Sequence, residues 1–376
     1  MLITRDFPPA AGGISEYSHA LAGALRNHVE ALWVLARDAP GPGISDATLN
    51  VVRHRGSKSW MDRTVLPCVY RLTREHRLRI VLVTHWKLAL AGLAVRRLGL
   101  ADRVYAAVHG KEVLHRPSLP VWERIFHAYR RWILRSVDGV FPVSRYTGQL
   151  VCAQGMDPSR IHPVPNGTAV HRWLAEAARQ DAEAFRARHQ IPAGPLLATV
   201  ARLIPRKGVD TALEAIRLLS HDHPSIHYVV AGAGPDRERL LTLAEQLGIS
   251  DRCRFLGEID EEERAAVYHA CDLFVLPARQ HGASVEGFGL VFREANSFGK
   301  PVIGTTSGGI PEAVIDEVTG LLVPPGDPAR LASSAHRLLS QPDLAARLGR
   351  QGQVLVAREG TWDHTARQIL RVLENG

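Results

Sequence analysis

Two glutamates eight residues apart, Glu286 and Glu294, bracket a Gly-x-Gly turn in the run Ser284-Val285-Glu286-Gly287-Phe288-Gly289-Leu290-Val291-Phe292-Arg293-Glu294-Ala295. Gly287 and Gly289 let a backbone come close to a ligand. The helix predicted to follow, over 289–298, offers free N–H groups and a partial positive charge at its start, which suits phosphate. Glu294, one turn in, is placed to accept hydrogen bonds from a ribose, and Glu286, on the loop, from sugar hydroxyls. Taken alone, the same pattern also fits a helix whose start is merely capped by acidic residues.

A second run, Val200-Ala201-Arg202-Leu203-Ile204-Pro205-Arg206-Lys207-Gly208, sets Arg202 and Lys207 five residues apart on a strand-to-helix loop. Arginine brings a planar fork to phosphate oxygens and lysine a compact charge, so the two could neutralise a diphosphate. A solvated basic loop reads the same locally. Paired glycines, Gly12 and Gly13, follow Phe7-Pro8-Pro9 between a short first strand and a helix. His109 ends an apolar run in Val108-His109-Gly110-Lys111-Glu112, although a lone histidine is more often structural.

The elements that must carry these residues alternate. Strands are predicted over 31–35, 80–84, 104–108 and 139–143, and helices over 14–27, 88–98 and 121–135. A polar, alanine-rich stretch over 170–190 separates this half from a second one. There, strands are predicted over 196–200, 227–231, 254–256, 273–277 and 301–305, with helices over 210–220 and 289–298 and a terminal helix from Trp362. Such βαβ alternation means parallel sheets with helices on both faces. Two doubly wound sheets place ligands at the carboxyl ends of their strands. The predicted domains are 1–168 with 361–376, and 169–360.

The 376 residues carry a net charge of +8. Residues 1–165 hold 23 Lys/Arg against 12 Asp/Glu (+11), and 166–376 hold 23 against 26 (−3). That asymmetry directs the first half toward an anionic surface or substrate. Residues 53–79 include Arg53, Arg55, Lys58, Arg63, Arg71, Arg74, Arg77 and Arg79 with Trp60, Met61, Leu66 and Tyr70 interleaved. Residues 121–135 add Trp122, Phe126, Tyr129 and Trp132 among Arg124, Arg130, Arg131 and Arg135. Basic, aromatic, amphipathic segments suit anionic lipid headgroups, and core aromatics with solvated arginines give the same pattern. No apolar run reaches membrane-spanning length. The start, Met1-Leu2-Ile3-Thr4-Arg5-Asp6, is unlike a secretory leader, and Cys68, Cys152, Cys253 and Cys271 have neither metal-finger nor redox spacing. A cytoplasmic protein, peripheral at most on the inner face of the membrane, is expected.

The ordered set FPPAAGG, VHGKEV, VPNGT (164–168), VARLIPRKG, AGAGP (231–235), FLGEI (255–259), EGFGLVFREA, GGIPEAV (308–314) and the Trp362 helix resembles the family-four retaining glycosyltransferases over nearly the whole chain. The resemblance implies the GT-B architecture, two Rossmann-like domains facing a cleft with the terminal helix crossing back to the first. It implies that Arg202 and Lys207 bind the donor diphosphate and that Glu286 holds donor-sugar hydroxyls beside the Gly287, Phe288, Gly289 and Leu290 backbone. Glu294 would hold the ribose, and Leu256 and its neighbours would border the base. Gly12 and Gly13 would lie over the phosphates, and His109 would approach the reacting carbon. The expected activity is hexosyl transfer from a UDP- or GDP-linked sugar to a lipid-linked, glycan or other anionic acceptor. The loop Ala278–Ala283 is long and carries an extra histidine, and Arg293 and Asn296 stand where similar proteins have apolar or small residues.

No Asp-x-Asp occurs in the chain, so the cations and the helix start are expected to stabilise the leaving diphosphate without a metal or other cofactor. A nucleotide-sugar epimerase of the same architecture is the alternative. A dinucleotide dehydrogenase fails because Gly232-Ala233-Gly234 is followed by Arg237 where its fingerprint needs glycine. No nucleic-acid-binding module is recognisable, and no such partner is expected.

Overall fold

The computed structural model describes residues 1–10, 13–39, 48–55, 65–110, 113, 121–168 and 177–375. They form two compact units, Met1–Gly167 with Trp362–Gly376, and Thr168–Thr361. The boundaries thus fall one residue from those predicted. Thr168 and Thr361 pair with each other in a parallel bridge, and Thr168 N–H donates to Gly360 O at 2.6 Å, which ties both to the second unit.

In the first unit the order is β1 (Leu2–Thr4), α1 (Gly13–Arg26), β2 (Trp33–Arg37), β3 (Asn50–His54), α2 (Val65–His76), β4 (Ile80–Val83), α3 (Ala89–Arg97), β5 (Arg103–Val108), α4 (Val121–Ser136), β6 (Gly139–Pro142) and α5 (Arg145–Cys152). The six strands are parallel in the order β3-β2-β1-β4-β5-β6. Helix α1 buries Tyr17, Ser18, Leu21, Ala22 and Leu25, a three- and four-residue spacing that puts one stripe on the sheet. The terminal helix Trp362–Asn375 belongs to this unit. It buries Thr365, Ala366, Ile369 and Leu373 beside α1, and the Thr365 hydroxyl donates to Pro165 O at 2.9 Å.

The second unit runs α6 (Ala177–Arg188), β7 (Leu196–Val200), α7 (Val209–Leu219), β8 (His227–Ala231), α8 (Arg237–Gln246), β9 (Cys253–Gly257), α9 (Glu261–Ala270), β10 (Leu273–Val275), α10 (Leu290–Ser297), β11 (Val302–Thr305), α11 (Ile310–Ala313), β12 (Gly320–Val323), α12 (Pro328–Ser340) and α13 (Pro342–Glu359). Its strands are also all parallel, in the order β12-β11-β10-β7-β8-β9. Counted from its own first strand, this is the same 3-2-1-4-5-6 winding as in the first unit. The winding reverses between β1 and β4 in one unit and between β7 and β10 in the other. Ligands of doubly wound sheets bind outside the strand ends at such reversals.

Several elements differ from expectation, among them the helices α2, α5, α12 and α13, for which no range was predicted. Strand β2 lies two residues further on than predicted, and β3 and β12 were not foreseen. Strand β3 is an edge strand of mixed exposure, so it lacks a continuous apolar run. Strand β12 is four residues starting at Gly320, whose missing Cβ leaves room for the Val302 carbonyl 2.3 Å from where that atom would sit.

Candidate active site

In the second unit the reversal brings together residues far apart in sequence. The loop after β7 carries Arg206 and Lys207, and the loop after the adjacent β10 carries Glu286. Arg206 Nη1 donates to Glu286 Oε2 at 2.6 Å, and Lys207 Nζ donates to the same oxygen at 2.5 Å. Lys207 is 9% exposed. Left-handed Gly208 makes this approach possible: with φ +69°, a Cβ there would lie 2.0 Å from Pro277 O. On its other side, Glu286 O accepts from Gly309 N–H at 3.0 Å. Gly308, at φ +61°, leaves space that a Cβ would take 2.4 Å from that same oxygen.

The environment fixes the Glu286 charge. Burial alone would raise its carboxyl, but the adjacent Lys207 and Arg206 override this and hold it at about 2. The group therefore stabilises the fold above its unfolded value near 4.5, and that contribution is lost as pH falls toward 2. We predict that the stability difference between wild type and Glu286→Gln shrinks between pH 5 and pH 2. Denaturation followed across that range checks it, and a constant difference would contradict the ion pair.

Gly289 caps α10 at φ +89°, where a Cβ would meet the Phe292 ring at 2.7 Å. Glycine is required there by backbone conformation and by this ring. Gly287 and Phe288 are buried before it, and Leu290, partly exposed, opens the helix. Glu294 is 8% exposed and accepts the Tyr268 hydroxyl on Oε2 at 2.7 Å. Burial and the Glu294 charge push the Tyr268 phenol far above its ordinary range, so it stays a donor. Tyr268, on α9, was not singled out in the sequence. Its only signal is a single aromatic near the end of a short helix that opens with three glutamates.

Arg293 and Asn296 have packing explanations. The Arg293 guanidinium lies over the Phe288 ring, 4.6 Å from its centre, and burial lowers it to about 10. Asn296 Nδ2 donates to Lys300 O at 2.9 Å and Thr319 O at 3.1 Å, in space kept open by Gly352 on α13.

Other nominated residues stand apart from this cluster. Arg202 is exposed and makes no side-chain hydrogen bond among the described residues. The pair closing on Glu286 is thus the expected Lys207 together with Arg206, a cation of the same run that takes the place expected of Arg202. Leu256 is half-buried in β9, at the sheet edge. In the first unit, His109 follows β5, and its Nε2 is 3.0 Å from Thr84 O. Its ring meets Tyr17 edge-on at 4.6 Å. Beneath it, Thr84, Thr4 and Ser18 link their hydroxyls in steps of 2.8 Å, satisfying buried polar groups at the reversal between β1 and β4. Gly13 starts α1 exposed with open space around its Cβ position, so no described residue requires glycine there. Gly12, Lys111 and Glu112 lie outside the described residues, as do Lys58, Trp60, Met61 and Arg63. Among the described residues, no group of three or more His, Cys, Asp or Glu is arranged to hold a metal ion.

The 121–135 segment divides. Phe126 and Tyr129 pack on buried Trp86, and Arg130, 3% exposed, donates to Gln154 Oε1 at 2.9 Å. Arg130 is therefore a core group and not a surface cation. Ile125 and Trp132 are 55% and 51% exposed, and Arg124, Arg131 and Arg135 are exposed beside them.

Two matching Rossmann-like sheets, the second with cations and carboxylates gathered at its reversal, define the GT-B class of α/β enzyme. The family model for glycosyltransferase family 4 matches residues 11–172, and that for group 1 glycosyl transferases matches 181–355. The GDP-mannose-dependent alpha-(1-6)-phosphatidylinositol monomannoside mannosyltransferase of Mycobacterium tuberculosis is 33% identical over 98% of this chain and 96% of its own. The monoacylated-substrate counterpart of Corynebacterium glutamicum is 29% identical over 100% and 97%. An Anabaena protein solved with UDP shares the fold, with a TM-score of 0.79 at 18% identity over the full length of both chains. The chain belongs to glycosyltransferase family 4 and is a glycosyltransferase. The relatives are transferases, and nothing among them supports the epimerase alternative.

Proposed function

We propose that the protein transfers a mannosyl group from GDP-mannose to a phosphatidylinositol-type glycolipid, with retention and without a metal. The observation that carries the donor site is the convergence of Arg206, Lys207 and Glu286 in front of the α10 start. GDP-mannose and the lipid-linked acceptor are favoured by the names of the full-length relatives.

In the reaction, the bond from the anomeric carbon to the diphosphate breaks and the electron pair leaves with the phosphate. Lys207, Arg206 and exposed Arg202 neutralise that charge in place of a metal. The acceptor hydroxyl attacks from the same face and gives its proton to the departing diphosphate. Glu286, held ionised by two cations, serves the donor-sugar hydroxyls and Glu294 the ribose. A covalent mannosyl adduct trapped on Glu286 would overturn the front-face route.

The deciding test is thermal denaturation with GDP, GDP-mannose, UDP and UDP-sugars in EDTA. A nucleotide at a hundred times its dissociation constant stabilises the fold by about 2.7 kcal/mol. Stabilisation by the GDP ligands, absent in Lys207→Ala, is expected. A shift with UDP alone would reassign the donor, a shift restored only by added Mg or Mn would end the metal-free reading, and no shift at all would remove the donor site.

We further propose that the first unit meets anionic lipid on exposed apolar and basic groups. On α4 these are Ile125, Trp132, Arg131 and Arg135, and on α2 they are Leu66, Tyr70, Arg71 and Arg74. Among the described residues no helix is long and apolar enough to cross a membrane. Sedimentation with phosphatidylglycerol vesicles at 0.15 M salt, a Debye length of about 8 Å, is expected to carry wild type down and leave more Trp132→Ser in solution. Wild type that stays in the supernatant would end this part of the reading.

A further inference from the structure

The long loop after β10 holds a residue with no place in the reaction as described. Arg279 spans from this loop to the start of α7. Its backbone N–H donates to Arg206 O at 2.8 Å. Its guanidinium closes on Asp210 in a fork, Nη1 to Oδ1 at 2.8 Å and Nη2 to Oδ2 at 2.7 Å, and Nη1 also reaches the Thr211 hydroxyl at 2.9 Å. Lys207 therefore lies inside a segment strapped by one residue at both ends, 206 and 210–211.

The strap is anchored in turn. Asp210 Oδ2 accepts Arg239 Nη2 at 3.1 Å, and Arg239 forks onto Asp236 at 2.6 and 2.7 Å. Asp236 N–H donates to Leu203 O at 3.2 Å. Gly234 comes so close to the loop after β7 that a Cβ would lie 2.1 Å from Leu203 O. The chain Arg279–Asp210–Arg239–Asp236 thus joins the loops after β7, β8 and β10. Asp210 stays charged within it: burial would raise its carboxyl, and Arg279 and Arg239 outweigh that and lower it. On the far side of Arg279, the Thr305 hydroxyl holds Ala278 O, and a two-way backbone bridge between His281 and Ser284 closes the loop before Glu286.

We propose that Arg279, acting through Asp210, is a positioning residue that sets Arg206 and Lys207 against Glu286 for the charge that develops on the leaving diphosphate. Arg279 need touch neither donor nor acceptor. This rests on the donor-site reading above. Its effect falls on turnover more than on donor affinity, because a small displacement of the cations costs most where charge is greatest.

The test uses the full chain, GDP-mannose as donor with a phosphatidylinositol mannoside acceptor, and GDP release as readout. Arg279→Gln is expected to lower kcat by about 10- to 100-fold with KM for GDP-mannose within about threefold, the size of effect a misplacement on the order of 1 Å produces. Arg279→Lys, which keeps the charge and loses the fork, should fall between. Asp210→Asn combined with Arg279→Gln should be no worse than Arg279→Gln alone, as for two residues of one device. Melting temperatures of all variants show whether they remain folded at the assay temperature. Unchanged kcat, a change confined to KM, losses that multiply in the double variant, or a kcat that merely follows the folded fraction would overturn the inference. A wild-type protein that releases no nucleotide from GDP-mannose, UDP-glucose or UDP-N-acetylglucosamine overturns the donor-site reading and this inference with it.

Discussion

Lys207→Ala is expected to lower kcat by about 10²- to 10³-fold, the usual loss when one preorganised group facing developing charge is removed. Lys207 is almost fully buried at 9% exposure, and its Nζ sits 2.5 Å from a carboxylate with Arg206 alongside. A cation in so dry a place acts far more strongly on a phosphate than one in water. It is also already placed, because Gly208 and Pro277 hold the loop backbone in contact, so little reorganisation accompanies the reaction. The substitution leaves Glu286 with Arg206 alone, so stability falls as well. Steady-state kinetics well below the variant's melting temperature separate the two effects. A kcat within threefold of wild type would place the diphosphate elsewhere.

Glu286→Gln should move two measurements in opposite directions. Its kcat should fall by about 10²-fold, because a hydroxyl acceptor with full negative charge is replaced by a neutral amide beside the reacting sugar. Free GDP should bind more tightly, by roughly tenfold or about 1.4 kcal/mol. In the protein without ligand, the Glu286 carboxylate is ionised, at about 2, and occupies both cations through one oxygen. Diphosphate must share those cations with it, and glutamine removes the competing charge while keeping the shape. Calorimetric titration of GDP into both proteins gives the comparison. Weaker GDP binding by a folded Glu286→Gln protein would show that the carboxylate supports the nucleotide and does not compete with it.

The chemistry was legible where it lay in consecutive residues. Gly-x-Gly before an amphipathic run announced the start of α10, and Gly299 announced its end, with φ +70° as a left-handed stop requires. The βαβ alternation showed in the apolar strand runs because parallel strands are buried on both faces, as the fully buried β7 and β8 are. The short edge strand β3 escaped because its residues are nearly all partly exposed, which leaves neither a continuous apolar run nor a clean alternation to read. Arg130 escaped for the opposite reason. An arginine in a basic, aromatic helix gives no sign that its guanidinium is turned inward to Gln154.

The sequence by itself determined the family, the two-sheet architecture and the loops that bear the charged residues. These follow from local spacing, and glycine and proline mark them wherever the backbone must turn. Only the tertiary structure decided which charges meet. Arg206 and Lys207 reach Glu286 across 80 and 79 residues because β7 and β10 are neighbours in the sheet, and Arg279 reaches Asp210 across 69 for the same reason. Strand order is set by how helices and strands bury one another over the whole unit, and no stretch of chain short enough to show a period contains it.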